Sequence, residues 1–508
     1  MPQENVAANQ AQALATTEHA RPNGGVLDQI IENTQAATVQ ESRPLVQKGV
    51  RELLRQVLKL NAQAEKDNKP EEKLRVDRIA VDRAIAELDK KLGQQIDKII
   101  HNEKFKQMEA AWGGLKFMVD RTDFRQNIRV SLLNVSKEAL LEDFKDSAEL
   151  FQAGLYAHAH KAEYGQFGGK PYGAIIANYD FGPSEPDIEL LRFCGGVASM
   201  AHAPFIAAAG SQFFGVSSFE GLPRIKDVRG MFESKQYISW RSLRDSEDAR
   251  YIGLTCPRFL LRRPYGPDNP VRSFQYNEES TSHDHFSWGN TAFAFATRLT
   301  ESFAKYRWCP NIIGPQGGGT VEQLPVHLYK SDGDLVQKIP TEVLVPEVLE
   351  YELSEEGFIT LTMRKDSDNA CFFSANSIQK PKIFPNTPEG KAAETNSRLG
   401  AQLPYMFVIS RLAHYIKVLQ REALGTDKEK RDLQRDLEGW IRQYVTEDDN
   451  PMPGIRAQRP LRSAEIKVEE VAGRPGWYSV GIKVRPHFKY MGASFTLSLV
   501  GQQGPPGK

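Results

Sequence analysis

An α/β fold, α+β overall, is what this 508-residue chain predicts, and three observations carry the prediction. From about residue 126 to 455, short apolar runs that read as strands alternate with helical stretches, the pattern of βαβ units around a buried, largely parallel sheet. Ahead of them, residues 43–125 show helical periodicity; behind them, residues 456–508 show the period-two alternation of antiparallel strands. With 40% hydrophobic and 9% aromatic residues, the chain has enough apolar side chain for two or three cores.

Residues 1–42 form the first zone. The opening 25 are mostly small or polar, so little offsets the entropy of ordering them, and they are expected to be mobile. In GGVLDQIIENT, Val26, Leu27, Ile30 and Ile31 fall at i, i+1, i+4 and i+5, which predicts an amphipathic helix over 26–33. Alone it is too short to be stable; it either packs on its own domain or folds into a partner's groove.

Between 43 and 125, Leu45, Val46, Val50, Leu53, Leu54, Val57 and Leu58 line one helical face, and Ile85, Leu88, Leu92, Ile96 and Ile99 line another. Phe105, Met108, Trp112 and Leu115 continue the theme, and the Met108 and Trp112 stripe is expected to be core. Pro70, inside AEKDNKPEEK, separates an early helix from two later ones.

In the central zone, Ile128, Val130 and Leu132 alternate as a strand does, and a helix starts near Ser136. GAIIAN (173–178), DIELLRFCGGVASMAHA and APFIAAA then read as strand, helix and strand. Such sheets often hold nucleotides at their strand ends, yet the first strand-to-helix junction, LLNVSKEAL, has no glycine and the dinucleotide fingerprint is missing. Further on, Thr426 and Glu429 form a capping box for a helix over 427–445. Its Leu433, Leu437, Trp440, Ile441 and Tyr444 face inward and its other side is densely charged. The break DDNPMPGIRAQRP then makes the final strands an arm apart from the main sheet. AEIKVEEV brings Ile466 and Val468, WYSVGIKVRP puts Tyr478, Val480, Ile482 and Val484 on one face, and ASFTLSLV is a third strand.

The chemistry-bearing motifs are weak. Lys plus Arg and Asp plus Glu balance at 65 each, so the overall attraction on which nucleic-acid and anionic-membrane binders rely is missing. No stretch approaches a membrane span, the N-terminus lacks the marks of a signal peptide, and Cys194, Cys256, Cys309 and Cys371 form no CxxC pair, so a reducing cytoplasm is expected. GPQGGG (314–319) lacks the GK[ST] ending of a phosphate loop and reads as a flexible loop; in GGKPY (168–172), Pro171 stands where helix N–H groups should begin. His283, Asp284 and His285 form an HDH run, but alternate side chains in a strand point apart and no second ligand cluster accompanies them; His158 and His160 share that weakness. RFLLRRPYG (258–266) is best read as a strand whose arginines pair with acids such as those of RDSEDARY (244–251). No catalytic constellation, metal or cofactor is expected, and amphipathic appendages at both ends suggest assembly.

Several long segments carry a resemblance: KAEYGQFGGKPYGAII, AHAPFIAAA, WRSLRDSEDARYIGLTCPRFLLRRPYG, WGNTAFAFATRLTESFAKYRWCPNI, LPVHLYKSDGD and LPYMFVISRLAHYIKVL. From about residue 26 to 500 the chain resembles the large sheath subunit family of type VI secretion systems, called TssC or VipB. The resemblance implies a structural protein that co-polymerises with a small subunit, TssB or VipA, and with other copies of itself into a cytoplasmic tube. That tube surrounds a stack of Hcp rings and meets baseplate components. It implies no enzyme activity, nucleic acid or membrane insertion.

It also implies that the AAA+ ATPase ClpV recognises the N-terminal helix, here through Val26, Leu27, Ile30 and Ile31. Arms crossing between protomers complete a shared sheet, which points to Ile466, Val468, Tyr478, Val480, Ile482 and Val484, with Pro451, Pro453 and Gly454 as a hinge. A charged helix lining the lumen points to Lys428, Lys430, Arg431 and Arg435. The alternatives are a homopolymeric phage-tail-like sheath, or a metal-dependent hydrolase using His283 and His285.

Overall fold

A computed structural model describes residues 78–487 except 273, 332–333, 339, 366, 426–428, 447, 449–450 and 471–477. The chain divides into two compact units: Met1–Ile100 with Pro264–Glu279, and His101–Arg263 with Ser280–Lys508. The expected helix at 26–33, the early helix and the third C-terminal strand lie outside the described residues.

In the first unit, helix α1 (Arg78–Ile100) meets the returning segment 264–279. Tyr276 is buried there, its hydroxyl donating to Asp97 at 2.6 Å and its ring lying beside Gly93. Ile85, Leu88, Leu92 and Ile99 stand exposed.

The second unit opens with α2 (Glu103–Asp120), which starts where the Asn102 side chain accepts from the Lys104 N–H. Here the expectation of a core stripe fails: Met108 is 53% and Trp112 65% exposed. The opposite face is the packed one. At Gly114 an added Cβ would lie 2.4 Å from the Phe293 ring, so this glycine sets how closely α2 approaches α7 (Thr291–Tyr306).

The strand expected at Ile128, Val130 and Leu132 is not formed, because no neighbouring strand among the described residues pairs with it. Val130 packs beside Ile176, while Leu132 and Leu133 are exposed. Helix α3 (Lys137–Asp146) begins at Ser136, whose hydroxyl caps the Ala139 N–H at 3.1 Å.

The sheet follows. Strands β1 (Ile175–Phe181), β2 (Phe205–Ala209), β3 (Ile252–Cys256) and β9 (Phe358–Met363) lie parallel; β10 (Ala370–Phe372) and β6 (Thr320–Val321) extend it antiparallel, in the order β1-β2-β3-β9-β10-β6. The strands β4 (Phe259–Leu260) and β5 (Trp288–Gly289), and β7 (His327–Ser331) and β8 (Asp334–Lys338), form two small antiparallel pairs. Because side chains alternate across a strand, Phe205 and Ala207 enter one core and Ile206 the other; Phe358 and Ile359 divide likewise. The first core is closed by α4 (Glu185–Ala201), α5 (Val228–Glu233), α6 (Ile238–Arg244) and α8 (Glu347–Glu355), with Leu191, Trp240 and Leu353 wholly buried. The second is closed by α7 and by α10 (Leu403–Glu422), which follows α9 (Pro388–Gly400), through Phe295, Leu403 and Phe407. Each such side chain contributes roughly 1.5–3 kcal/mol on burial.

Two loops differ from expectation. GPQGGG is a fixed turn: the Gly314 N–H donates to the Phe372 carbonyl at 2.7 Å, and Gly318 takes φ +89° with no room for a Cβ beside the Asn311 carbonyl. The arginines of RFLLRRPYG pair within the chain, but with other acids. Arg258 forms two 2.7 Å hydrogen bonds to Glu342, and Arg262 bonds Glu109 at 2.5 Å. Arg244 instead anchors the sheet's rim, bonding Glu356 and, at 3.0 Å each, the carbonyls of Ile378 and Glu355.

The C-terminal part comprises α11 (Lys430–Arg442), a short helix α12 (Pro453–Gln458), and the antiparallel pair β11 (Leu461–Glu470) and β12 (Tyr478–Pro486). The expected capping box is not built, since Glu429 is itself the N-cap residue of α11 and makes no side-chain cap bond. Nor is the proline segment simply a break: Pro453 starts α12, as its missing N–H permits.

Gly114→Ala should destabilise the chain by about 1–3 kcal/mol, the usual range for overpacking, whereas Gly439→Ala, where an added Cβ meets nothing within 4 Å, should not. Chemical denaturation of both variants checks this.

Candidate assembly surfaces

The hairpin β11/β12 is amphipathic through its register. Ile466 faces Ile482, Val468 faces Val480, and Ala464 faces Val484, all on one side. Leu461, Ile466 and Val468 are buried to 1% or less, packed with Leu437 and Ile441 of α11 and with Trp308, Val408 and Leu412. Tyr478, Val480 and Val484 pack partly against the same cluster; Ile482, at 37% exposure, sits on its rim. Thus the six arm residues named from the sequence do come together, on a face covered by the chain's own helices. Among the described residues the two strands make a sheet of their own, and a bridge between Val445 and Leu461 ties β11 to the segment that follows α11.

Helix α11 presents two unlike faces. Leu437 and Ile441 are buried and Trp440 half-buried, while Lys430, Arg431 and Arg435 are exposed, Arg435 bonding Asp432 at 2.9 Å. Lys428 and the ClpV-type residues Val26, Leu27, Ile30 and Ile31 lie outside the described residues.

The histidine run forms a 3₁₀ turn and not a strand. His283 lies between two carboxylates, Nδ1 3.1 Å from Glu220 and Nε2 3.1 Å from Glu342, whereas His285 stacks on His101 at 4.2 Å. Burial pushes the Glu342 carboxyl up, but hydrogen bonds from Arg258 and His283, with their charge, reverse this and hold it below its usual range. Among the described residues no group of three or more His, Cys, Asp or Glu could hold a metal. Nor is any helix there long and apolar enough to cross a membrane. Cys194, Cys256 and Cys371 are buried and Cys309 partly so, their thiols pushed up by burial, the opposite of a reactive thiolate.

An amphipathic hairpin and exposed apolar helix faces are features of a building block. Sequence comparison decides which one. Residues 82–379 match the VipB family, described as the EvpB/VC_A0108 tail sheath N-terminal domain, and residues 392–503 match its tail sheath gpW/gp25-like domain. The chain belongs to the VipB family of tail sheath proteins. A curated relative, the type VI secretion system sheath protein TssC1 of Pseudomonas aeruginosa, is 40% identical over 431 residues, covering 83% of this chain and 86% of that protein. Among solved structures, the anti-feeding prophage baseplate gives a TM-score of 0.36 at 9% identity over 74% of this chain and 83% of that one. The contracted helical sheath of the same particle gives 0.29 at 11% identity over 63% and 68%. These structural likenesses are too slight to argue from. As a VipB-family member the chain is a structural subunit of a contractile sheath; the mixed sheet lies within the first matched stretch and the C-terminal hairpin within the second.

Ile466→Asp, which buries a charge at a position 1% exposed, should cost at least 3 kcal/mol in denaturant unfolding. Ile482→Asp, on the rim, should cost less than half as much.

Proposed function

We propose that this chain is the large sheath subunit that co-polymerises with a small partner of the TssB/VipA kind around an Hcp inner tube, shortens to drive that tube outward, and is afterwards recycled by ClpV. The observation that carries the reading is the hairpin: it stands as a two-stranded sheet apart from the six-stranded one and is held by its apolar face to the chain's own helices. A strand from a neighbouring protomer can add there through main-chain hydrogen bonds, each contributing roughly 0.5–1.5 kcal/mol net. Such a link joins protomers by backbone while leaving the domains free to change their packing, which contraction requires.

The exposed stripe on α2, with Met108 and Trp112, and the separate one on α1 offer further apolar area to partners. The basic face of α11, Lys430, Arg431 and Arg435, suits an acidic tube surface. Val26, Leu27, Ile30 and Ile31 supply the anchors of a short helix for ClpV. The homopolymeric alternative differs in needing no small partner.

Negative-stain microscopy of the chain alone and co-expressed with its small partner should give long tubes only in the co-expressed sample. Tubes from the chain alone would favour the homopolymer, and monomers in both samples would overturn the assembly reading. Ile30→Asp should abolish ClpV binding while leaving tubes intact; unchanged affinity would count against that helix.

A further inference from the structure

We propose that the seam between the two family domains is an acid-sensitive latch, built from His160, His202 and His414 packed around Tyr164. His414 lies on α10, within the gpW/gp25-like domain; the other two histidines belong to the tail sheath N-terminal domain. This device is independent of the partner assignments above.

The geometry is a ring cluster. Tyr164 lies 4.9 Å from His160, 5.8 Å from His202 and 5.3 Å from His414, and the last two rings are 6.2 Å apart. His414 is 2% exposed, and its Nε2 is 2.9 Å from the Ala201 carbonyl. A carbonyl only accepts, so Nε2 carries the proton and Nδ1 presents a bare lone pair. That Nδ1 is buried with no hydrogen-bond partner, as is Nδ1 of His160. The Nδ1 of His202 is 3.3 Å from the Tyr251 hydroxyl. The closed seam therefore holds His414 neutral and gives two buried nitrogens nothing to offset a proton.

The charges around the cluster sharpen this. From α10 come Lys417, above the Tyr164 ring, then Arg411, and Arg421, which bonds the carbonyls of Tyr164 and Gln166. The segment carrying His160 adds His158, Lys161 and Glu163, whose carboxylate accepts the Lys170 N–H; the turn carrying Tyr251 adds Asp248 and Arg250. Among the described residues Lys417, Arg411 and the histidines themselves act on the three imidazoles, and no carboxylate does. Burial first, then these positive neighbours, holds all three below the usual histidine range, His414 at about 4; the Ala201 carbonyl is the one opposing influence.

The sign follows from linkage. A histidine whose pKa is depressed in the closed state takes up a proton on opening, so the latch is fully closed above about pH 6.5 and weakens as pH falls toward 4. Each histidine that titrates raises the opening constant by up to about tenfold per pH unit over that window. Opening separates α10 from the C-terminal end of α4 and from the 157–166 segment, the one connection in which Arg421 and His414 both take part.

Hydrogen exchange of the full chain from pH 7.5 to 5.0, corrected for the intrinsic pH dependence, tests this in peptides covering 157–166, 198–204 and 407–422. The opening constant there should rise as stated while α7 is unchanged. His414→Gln, which keeps a donor for Ala201, should reduce the rise by about tenfold per pH unit, and His202→Gln should reduce it as well. In the unaltered chain, exchange of histidine C2 protons should show His414 titrating well below pH 6. A flat profile, a slope unchanged in both glutamine variants, or a His414 titration near pH 6.5 would overturn the latch.

Discussion

Helix α10 has to satisfy three cores at once, and the rest of the structure is arranged around that requirement. Leu403 and Phe407 complete the core on one side of the sheet, Met406 reaches the core on the other, and Val408 and Leu412 belong to the cluster under the hairpin. A helix that is apolar around its whole circumference must be surrounded, and the opening turns of α10, Leu403 to Val408, are. Further along, the histidine seam and the Arg421 contacts join the apolar packing of Tyr415 and Leu419.

This division explains why two domains that could be separate are joined so closely. The hairpin cannot bury its inner face against the main sheet, whose strands are already covered on both sides. It needs its own helix, α11, and α11 in turn needs α10 as a floor. The chain balances 65 basic with 65 acidic residues, and some of that charge ties distant stretches of the chain together: Arg244 to Glu356, Arg258 to Glu342 and Arg262 to Glu109. Removing one partner of such a buried pair is costly because the other is left without compensation.

How much of this was legible beforehand depends on the range of the interaction concerned. The strands at 175–181 and 205–209, the helix starting at Ser136 and the inward face of α11 all follow from local periodicity and capping, and the sequence shows them directly. Met108 and Trp112 mark the limit of that reading. A helical stripe shows that a face is apolar, not which molecule covers it. The same holds for Ile128, Val130 and Leu132, whose alternation is real although, among the described residues, no strand pairs with them. The arginines of RFLLRRPYG find acids far away in sequence, and the seam histidines come from three separate stretches; neither grouping leaves a spacing to detect. The six hairpin residues were found because two adjacent strands with matched alternation are a local signal.

The packing beneath the hairpin also defines a route for mechanical load. Tension applied to β11 or β12 by a neighbour passes from Ile466 and Val468 into Leu437 and Ile441, from there to Val408 and Leu412, and through α10 into the middle of the sheet. That route runs through interlocked side chains from one cluster to the next. A pull during shortening is therefore spread over the packed core of the subunit and does not fall on a single backbone bond.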